Sequence, residues 1–89
     1  MSHTINLPKE GLLLAHLNVC SLRNKVHELC SLVESNNIHI LAISETHLES
    51  SLDDSEVAIH GYNLFRRDRD KNGGGVAIYL KNHIPVKEM

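Results

Sequence analysis

The stretch Ile38-His39-Ile40-Leu41-Ala42-Ile43-Ser44-Glu45-Thr46 decides how the rest of this chain is interpreted. Five of its first six residues are apolar, and a short run of this kind predicts a strand that is covered on both faces. Glu45 follows that strand almost at once. Because open α/β sheets bind their ligands beyond the carboxyl ends of their strands, the stretch predicts that Glu45 lies at a ligand-binding edge and holds a metal ion.

The segment before this stretch predicts a βαβ unit. Residues 12–19 form a second, largely apolar run that carries Asn18 near its end. Between the two runs, apolar residues recur at helical spacing, with Ser21 as the expected N-cap and Asn36-Asn37 as the expected end of the helix. A strand, a helix and a strand at this spacing predict two parallel strands. Asn18 is therefore expected at the same edge of the sheet as Glu45.

The second half of the chain predicts an antiparallel hairpin. Residues 46–56 are polar and acidic, and we expect a loop there that borders the site, followed by a short strand or edge piece at 57–59. Residues 62–68 and 76–80 then read as two strands, joined by the turn signal Lys71-Asn72-Gly73-Gly74-Gly75. Because these glycines precede a strand and not a helix, a hairpin turn explains them better than a phosphate-binding loop.

Length and composition indicate one small domain or part of a larger one. The chain has 89 residues, is 42% hydrophobic and carries a formal net charge of −2, so overall charge predicts no attraction to nucleic acid. Two aspartates dilute the basic residues at 66–71, and a solvated strand end is the better interpretation of that patch. We expect residues 1–10 to be a flexible leader and residues 11–89 to form the domain.

The cysteines and the N-terminus indicate an intracellular protein. Cys20 and Cys30 lack metal-binding spacing, and we expect both thiols to stay reduced. The N-terminus has neither the basic start nor the apolar run of a secretory signal, and no apolar stretch is long enough to span a membrane. The expected location is therefore the nucleus or the cytoplasm, without membrane attachment.

Short motifs in a fixed order resemble the N-terminal part of an endonuclease/exonuclease/phosphatase domain. The resemblance is greatest to the apurinic-type endonuclease of non-LTR (LINE-type) retrotransposons, and it runs from about Leu12 onward. The motifs are Asn18-Val19-Cys20-Ser21-Leu22, Ile43-Ser44-Glu45-Thr46-His47-Leu48, Gly61-Tyr62, Arg67-Asp68-Arg69 and Gly73-Gly74-Gly75-Val76-Ala77-Ile78-Tyr79.

The resemblance implies a fold, a reaction and two site residues. The fold is part of a four-layer α/β sandwich, in which two sheets pack face to face with helices outside. The reaction is cleavage of a DNA phosphodiester with Mg²⁺ or Mn²⁺, for which Glu45 ligates the metal and Asn18 helps to hold the metal and the scissile phosphate. Cys20 stands where repair-type relatives carry an acidic residue, which favours the retrotransposon branch.

The resemblance also implies that important groups lie elsewhere. The family's catalytic tyrosine, its Asp-x-Asn pair and its terminal Asp-His pair have no counterpart in the matched segment. We therefore expect no meaningful nuclease activity from these residues alone, and we expect the rest of the domain, and a reverse transcriptase, in a full-length parent. Without the second sheet, residues 76–80 are expected to expose apolar surface.

Two other interpretations stay open at this point. The chain could be a non-catalytic interaction or structural remnant of a truncated element. It could also be an unrelated α/β domain, in which Glu45 and Asn18 only satisfy groups at the ends of strands. The sequence therefore does not decide whether this chain is itself an enzyme.

Overall fold

A computed structural model of the chain describes residues 2–6, 13–69 and 74–84. The described residues form a mixed sheet beside a helix, which confirms the predicted α/β fold class. The elements are β1 (Ser2–Asn6), β2 (Leu13–Asn18), α1 (Val26–Asn36), β3 (Ile40–Ser44), a 3-10 turn (Asp54–Glu56), β4 (Tyr62–Arg67) and β5 (Val76–Lys81). The strand order in the sheet is β1-β2-β3-β5-β4.

The predicted βαβ unit is present, with one change at the start of its helix. β2 and β3 are parallel, and Asn18 pairs with Ser44. The helix α1 begins at Val26 and not directly after Ser21. Ser21 has a φ of 130°, outside the extended conformation of a helix N-cap, and its backbone N–H donates to the carbonyl of Glu45 at 3.0 Å, which ties Ser21 to the segment after β3. The end is as predicted, since Asn37 adopts the left-handed conformation (φ 51°, ψ 48°) that closes the helix.

The core lies between α1 and one face of the sheet. Leu29 and Val33 of α1 belong to the same buried cluster as Leu41, Ile43 and Tyr79 of the sheet. Alternate residues of β3 enter this cluster because successive side chains of a strand point to opposite faces. Each such aliphatic side chain contributes about 1.5–3 kcal/mol when it is fully buried.

The hairpin of β4 and β5 is also as predicted, and β5 lies between β3 and β4. The other face of this hairpin is apolar and exposed, as the sequence predicts for residues 76–80. Phe65 and Ile78 are register partners there, with 47% and 43% of their surface exposed, and Val76 is 51% exposed. Residues 71–73 of the predicted turn lie outside the described part of the chain.

The segment 57–59 is not a strand, contrary to the prediction. It crosses the covered face of the sheet as a loop, with Val57 and Ile59 buried in the core. One backbone carbonyl of this segment is satisfied by a side chain, because the hydroxyl of Tyr79 donates to the carbonyl of Val57. Burial, above all, raises the pKa of Tyr79 well beyond its ordinary value, so this hydroxyl stays protonated and remains a donor.

Residues 2–6 differ from the flexible leader that the sequence predicts. They form β1, which pairs antiparallel with β2, from Ser2 opposite Leu17 to Asn6 opposite Leu13. The physical reason is that β1 pairs with backbone groups of β2 that β3 does not use. Residues 7–12 lie outside the described ranges. They include the end of the predicted leader and the start of the predicted strand. The proposed limits of the domain stay a prediction.

Two expectations about cysteines and membranes can be compared with the described residues. Cys20 and Cys30 are both free thiols. Within the described ranges, no helix combines the length and the apolar character that crossing a bilayer requires.

His39 predicts a loss of stability in acid. The backbone N–H of Leu13 donates to Nδ1 of His39 at 3.1 Å, so this nitrogen carries no proton in the fold. Burial first, and then the charges of Lys81 and His83, lower the pKa of His39 below its ordinary value of 6.5. Since the unfolded chain then binds more protons, the contribution of His39 is present above about pH 6.5 and is lost as the pH falls below it.

We expect the urea midpoint of unfolding to fall between about pH 7 and pH 5, and to fall less in His39→Gln. The substitution His27→Gln, at an exposed position of α1, is the matched control and should leave the slope unchanged. Equal pH slopes for the wild type and His39→Gln would contradict this assignment.

Candidate functional site

The carboxyl ends of β2 and β3 bring Asn18 and Glu45 to one edge of the sheet. The parallel register pairs Asn18 with Ser44, and Glu45 is the next residue along the chain. Pairing continues beyond the strands, since the N–H of Val19 donates to the carbonyl of Ser44 at 3.2 Å and that of Ser21 donates to Glu45. The structure thus places both predicted site residues where the sequence expects them, and their role as ligands stays a prediction.

The side chains at this edge offer oxygen atoms to solvent. Oε1 of Glu45 lies 3.1 Å from Nε2 of His47, and both side chains are partly exposed. Asn18 is exposed, and its Oδ1 accepts a hydrogen bond from the thiol of Cys20 at 3.3 Å. His47 is not among the site residues predicted from the sequence. Its position two residues after Glu45 was the available signal, but two-residue spacing alone does not show that the chain bends there.

The backbone of this edge is held in conformations that side chains rarely adopt. Four of the five described non-glycine residues with positive φ lie here: Cys20 (53°), Ser21 (130°), Glu45 (59°) and His47 (55°). The fifth is the helix cap Asn37. Such conformations cost about 1–3 kcal/mol each and cluster at functional sites, where the surrounding structure enforces them. Their concentration around Glu45 supports a function for this edge.

Thr46 connects the edge to the start of β5. It is fully buried (0% exposed) between Glu45 and His47. Its N–H donates to the carbonyl of Gly75 at 3.3 Å, and the N–H of His47 donates to the carbonyl of Gly74 at 2.8 Å. From the sequence, these glycines are predicted only to form the hairpin turn; their contact with Thr46 joins residues far apart in the chain, and local patterns do not reveal it.

A cleft of about 320 Å³ opens beside the edge. It adjoins Glu45 because His47, which contacts Glu45, is also one of its lining residues. Arg23 brings a cation to the cleft and lies 3.4 Å from Glu56 in an exposed ion pair. The residues that line the cleft are Ser21, Arg23, Asn24, His47, Leu48, Glu49 and Leu52.

Arg66 anchors one wall of the cleft to β4. Its guanidinium donates to the carbonyl oxygens of Glu49 and Leu52, both at 2.7 Å, and to the carboxylates of Asp54 at 2.8 Å and Asp68 at 2.6 Å. The hydrogen bond to Asp68, above all, raises the pKa of Arg66. The interpretation of this position as a solvated strand end is wrong, because the alternation of β4 turns Arg66 inward, where its side chain is only 10% exposed.

The donor atoms at the edge suit a hard divalent cation. Mg²⁺ prefers oxygen ligands, needs only one or two protein carboxylates and keeps several water molecules. Glu45 and Asn18 offer one carboxylate and one amide oxygen at the same edge. In the described part of the chain, no group of three or more His, Cys, Asp or Glu residues could hold a metal ion, so a closed zinc-type site is not what these residues form.

The fold is shared with AP endonucleases of known structure. An AP endonuclease from Archaeoglobus fulgidus superimposes with a TM-score of 0.66 and 28% identity, over 78% of this chain and 27% of that chain. The AP endonuclease LMAP from Leishmania major gives 0.66 and 22% identity, over 76% of this chain and 23% of that one. The APE2 catalytic domain from Xenopus laevis gives 0.60 and 25%, with 76% and 23% covered.

The extent of this likeness limits what it establishes. The chain spans about a quarter of the length of these structures and matches the N-terminal part of their fold. Neither a protein-family model nor a curated protein matches the sequence. The comparisons therefore establish the fold.

Proposed function

We propose that this chain is the metal-holding N-terminal part of a DNA endonuclease that hydrolyses phosphodiester bonds with Mg²⁺ or Mn²⁺. The observation that carries the proposal is the strained edge of the sheet on which both Glu45 and Asn18 lie, in a fold shared with AP endonucleases. The ordered motifs, with Cys20 in place of an acidic residue, support an origin in a non-LTR retrotransposon.

Each residue of the edge has a definite task in this proposal. Glu45 holds the metal ion through its carboxylate, and Asn18 adds an amide oxygen and contacts the scissile phosphate. When bound, the metal supplies neutralisation of the charge that develops on the phosphate and the leaving oxygen. Arg23 lies at the cleft beside the edge and offers a positive charge to neighbouring phosphates of the DNA. Contacts of this kind position the DNA but do not distinguish one base sequence from another.

The proposal includes what the chain does not do by itself. The groups that activate the attacking water in the resembled family have no counterpart in the matched segment, so the chain alone does not cleave DNA. Its partners are DNA, the remainder of the endonuclease domain and, in the parent protein, a reverse transcriptase. The site of action is the nucleus or the cytoplasm.

A nicking assay tests the catalytic part of this proposal. Incubation of the purified chain with supercoiled plasmid and Mg²⁺ is expected to give no more relaxed circles than the same chain with Glu45→Ala, because the water-activating groups are lacking. The Glu45→Ala chain controls for contaminating nucleases. Nicking by the wild type that disappears in Glu45→Ala would show that these residues are an active nuclease and overturn the expected inactivity.

The second candidate is a non-catalytic remnant that acts only by interaction. The exposed apolar face formed by Phe65, Val76 and Ile78 is the surface through which such a remnant would bind a partner, because monomers rarely leave such patches exposed. The endonuclease fragment exposes the same face where its second sheet would pack, so this face does not separate the two candidates. The two candidates differ in the demand they place on Glu45. An interaction remnant does not need a metal ion at Glu45, whereas the endonuclease fragment does.

A further inference from the structure

Gly75 lies against Thr46, the residue that follows the predicted metal ligand Glu45, more closely than any other residue type allows. A Cβ atom at Gly75 would stand 2.6 Å from Oγ1 of Thr46 and 3.3 Å from the carbonyl oxygen of Arg67. Gly75 also has a φ of 92°, and its neighbour Gly74 has a φ of 85°. Glycine is therefore required there both for space and for backbone conformation.

We propose that Thr46 and Gly75 are positioning residues, which hold the backbone of Glu45 in the left-handed conformation that presents its carboxylate at the metal-binding edge. This inference rests on the proposed function, and it gives Gly75 a positioning role in the site. The contact between Thr46 and the pair Gly74–Gly75 is called the glycine latch below.

The hydrogen bonds of the latch converge on Thr46 from two sides. Gly75 and Gly74 accept from the N–H groups of Thr46 and His47, and the hydroxyl of Thr46 points to the carbonyl of Gly74 at 3.4 Å. From the other side, the N–H of Leu22 donates to the carbonyl of Thr46 at 2.9 Å. Thr46 is thus tied both to the start of β5 and to the segment that follows β2.

The direction of these bonds shows what the glycines do. A phosphate-binding loop points backbone N–H groups at its ligand. Here the carbonyl oxygens of Gly74 and Gly75 are the groups that face the site, and they accept from Thr46 and His47. Gly74 and Gly75 therefore bind the protein's own backbone through their carbonyl groups.

The latch accounts for the strain on both sides of Thr46. Glu45 and His47 each have a positive φ, which neither residue adopts without restraint. With Thr46 fixed, the backbone of Glu45 needs little further ordering when its carboxylate binds a cation. Metal sites whose ligands are oriented by supporting residues lose about 10–100-fold in affinity when that support is removed.

Two glycine variants separate the latch from simple backbone strain. Gly75→Ala adds a Cβ that meets Thr46, whereas Gly61→Ala adds one with nothing within 4 Å, at a similar φ of 89°. Both variants carry the penalty of a side chain at positive φ. We expect Gly75→Ala to weaken Mn²⁺ binding, followed by electron paramagnetic resonance, by about tenfold or more. Gly61→Ala should bind Mn²⁺ as the wild type does.

A second readout does not depend on the metal. Amide hydrogen exchange by NMR should show lost protection at Thr46 and His47 in Gly75→Ala and retained protection in Gly61→Ala. Should Gly75→Ala fail to fold, Thr46→Val replaces it. This change replaces the hydroxyl, which donates to the carbonyl of Gly74, by a methyl group of similar size. We expect it to weaken Mn²⁺ binding while the melting temperature stays close to that of the wild type.

The possible results distinguish this inference from the proposed function. If Glu45→Gln binds Mn²⁺ as tightly as the wild type does, Glu45 is not a ligand, and both fail. If Glu45→Gln loses the metal but Gly75→Ala, or Thr46→Val in its place, binds as tightly as Gly61→Ala, Glu45 is a ligand and the latch alone is overturned. Loss of affinity in Gly75→Ala and not in Gly61→Ala supports the latch.

Discussion

Replacement of Arg66 by methionine is expected to lower the free energy of unfolding by about 3–5 kcal/mol. Asp68 is the reason, since its side chain is only 9% exposed and takes a 2.6 Å hydrogen bond from the guanidinium. Without Arg66, this carboxylate stays buried with no counter-charge. The carbonyl oxygens of Glu49 and Leu52 lose their donor as well. Small domains are stable by only about 5–15 kcal/mol, so this loss is a large fraction of the total stability.

The measurement is urea denaturation followed by circular dichroism. Arg67→Met is the matched control, because Arg67 is the next residue of β4 and lies exposed on the opposite face. It should change stability by no more than about 0.5 kcal/mol. Adding Asp68→Leu to Arg66→Met should recover part of the loss, since it removes the unpaired charge. Equal losses in Arg66→Met and Arg67→Met would contradict this account.

The parts of the fold that could be predicted from the sequence are those that local patterns determine. The apolar run before Glu45 is a strand in the centre of the sheet, where β2 and β5 flank it. Asn37 ends the helix because asparagine tolerates the left-handed conformation. The shared edge of Asn18 and Glu45 follows from the parallel pairing that a βαβ unit imposes.

The parts that could not be predicted depend on contacts between distant segments. Ser21 is a residue type that commonly caps helices, but it is bonded to Glu45 and has a φ of 130°, which is not the conformation of an N-cap, so the helix starts later. Arg66 stands in a run of charges that is typical of solvent, yet the alternation of β4 turns it toward two acidic side chains. The contact between Gly75 and Thr46 forms because β5 pairs with β3 in the sheet, and local sequence patterns do not determine this strand order.

The second large effect concerns Glu45 itself. Glu45→Gln keeps the size of the side chain and its ability to form hydrogen bonds, but removes the charge that a divalent cation needs. We expect this variant to lose at least about tenfold in affinity for Mn²⁺, with an unchanged melting temperature because the carboxylate is partly exposed. Asp53→Asn is the matched control, since it removes an exposed carboxylate from the loop that follows the site.

The most direct test of the central claim is a Mn²⁺ titration followed by electron paramagnetic resonance, with Mg²⁺ as competitor. The account predicts that the wild type and Asp53→Asn bind a Mn²⁺ ion that Mg²⁺ displaces, and that Glu45→Gln binds it at least about tenfold more weakly. Equal binding by the wild type and Glu45→Gln would contradict the claim that Glu45 forms the metal-binding edge of this chain.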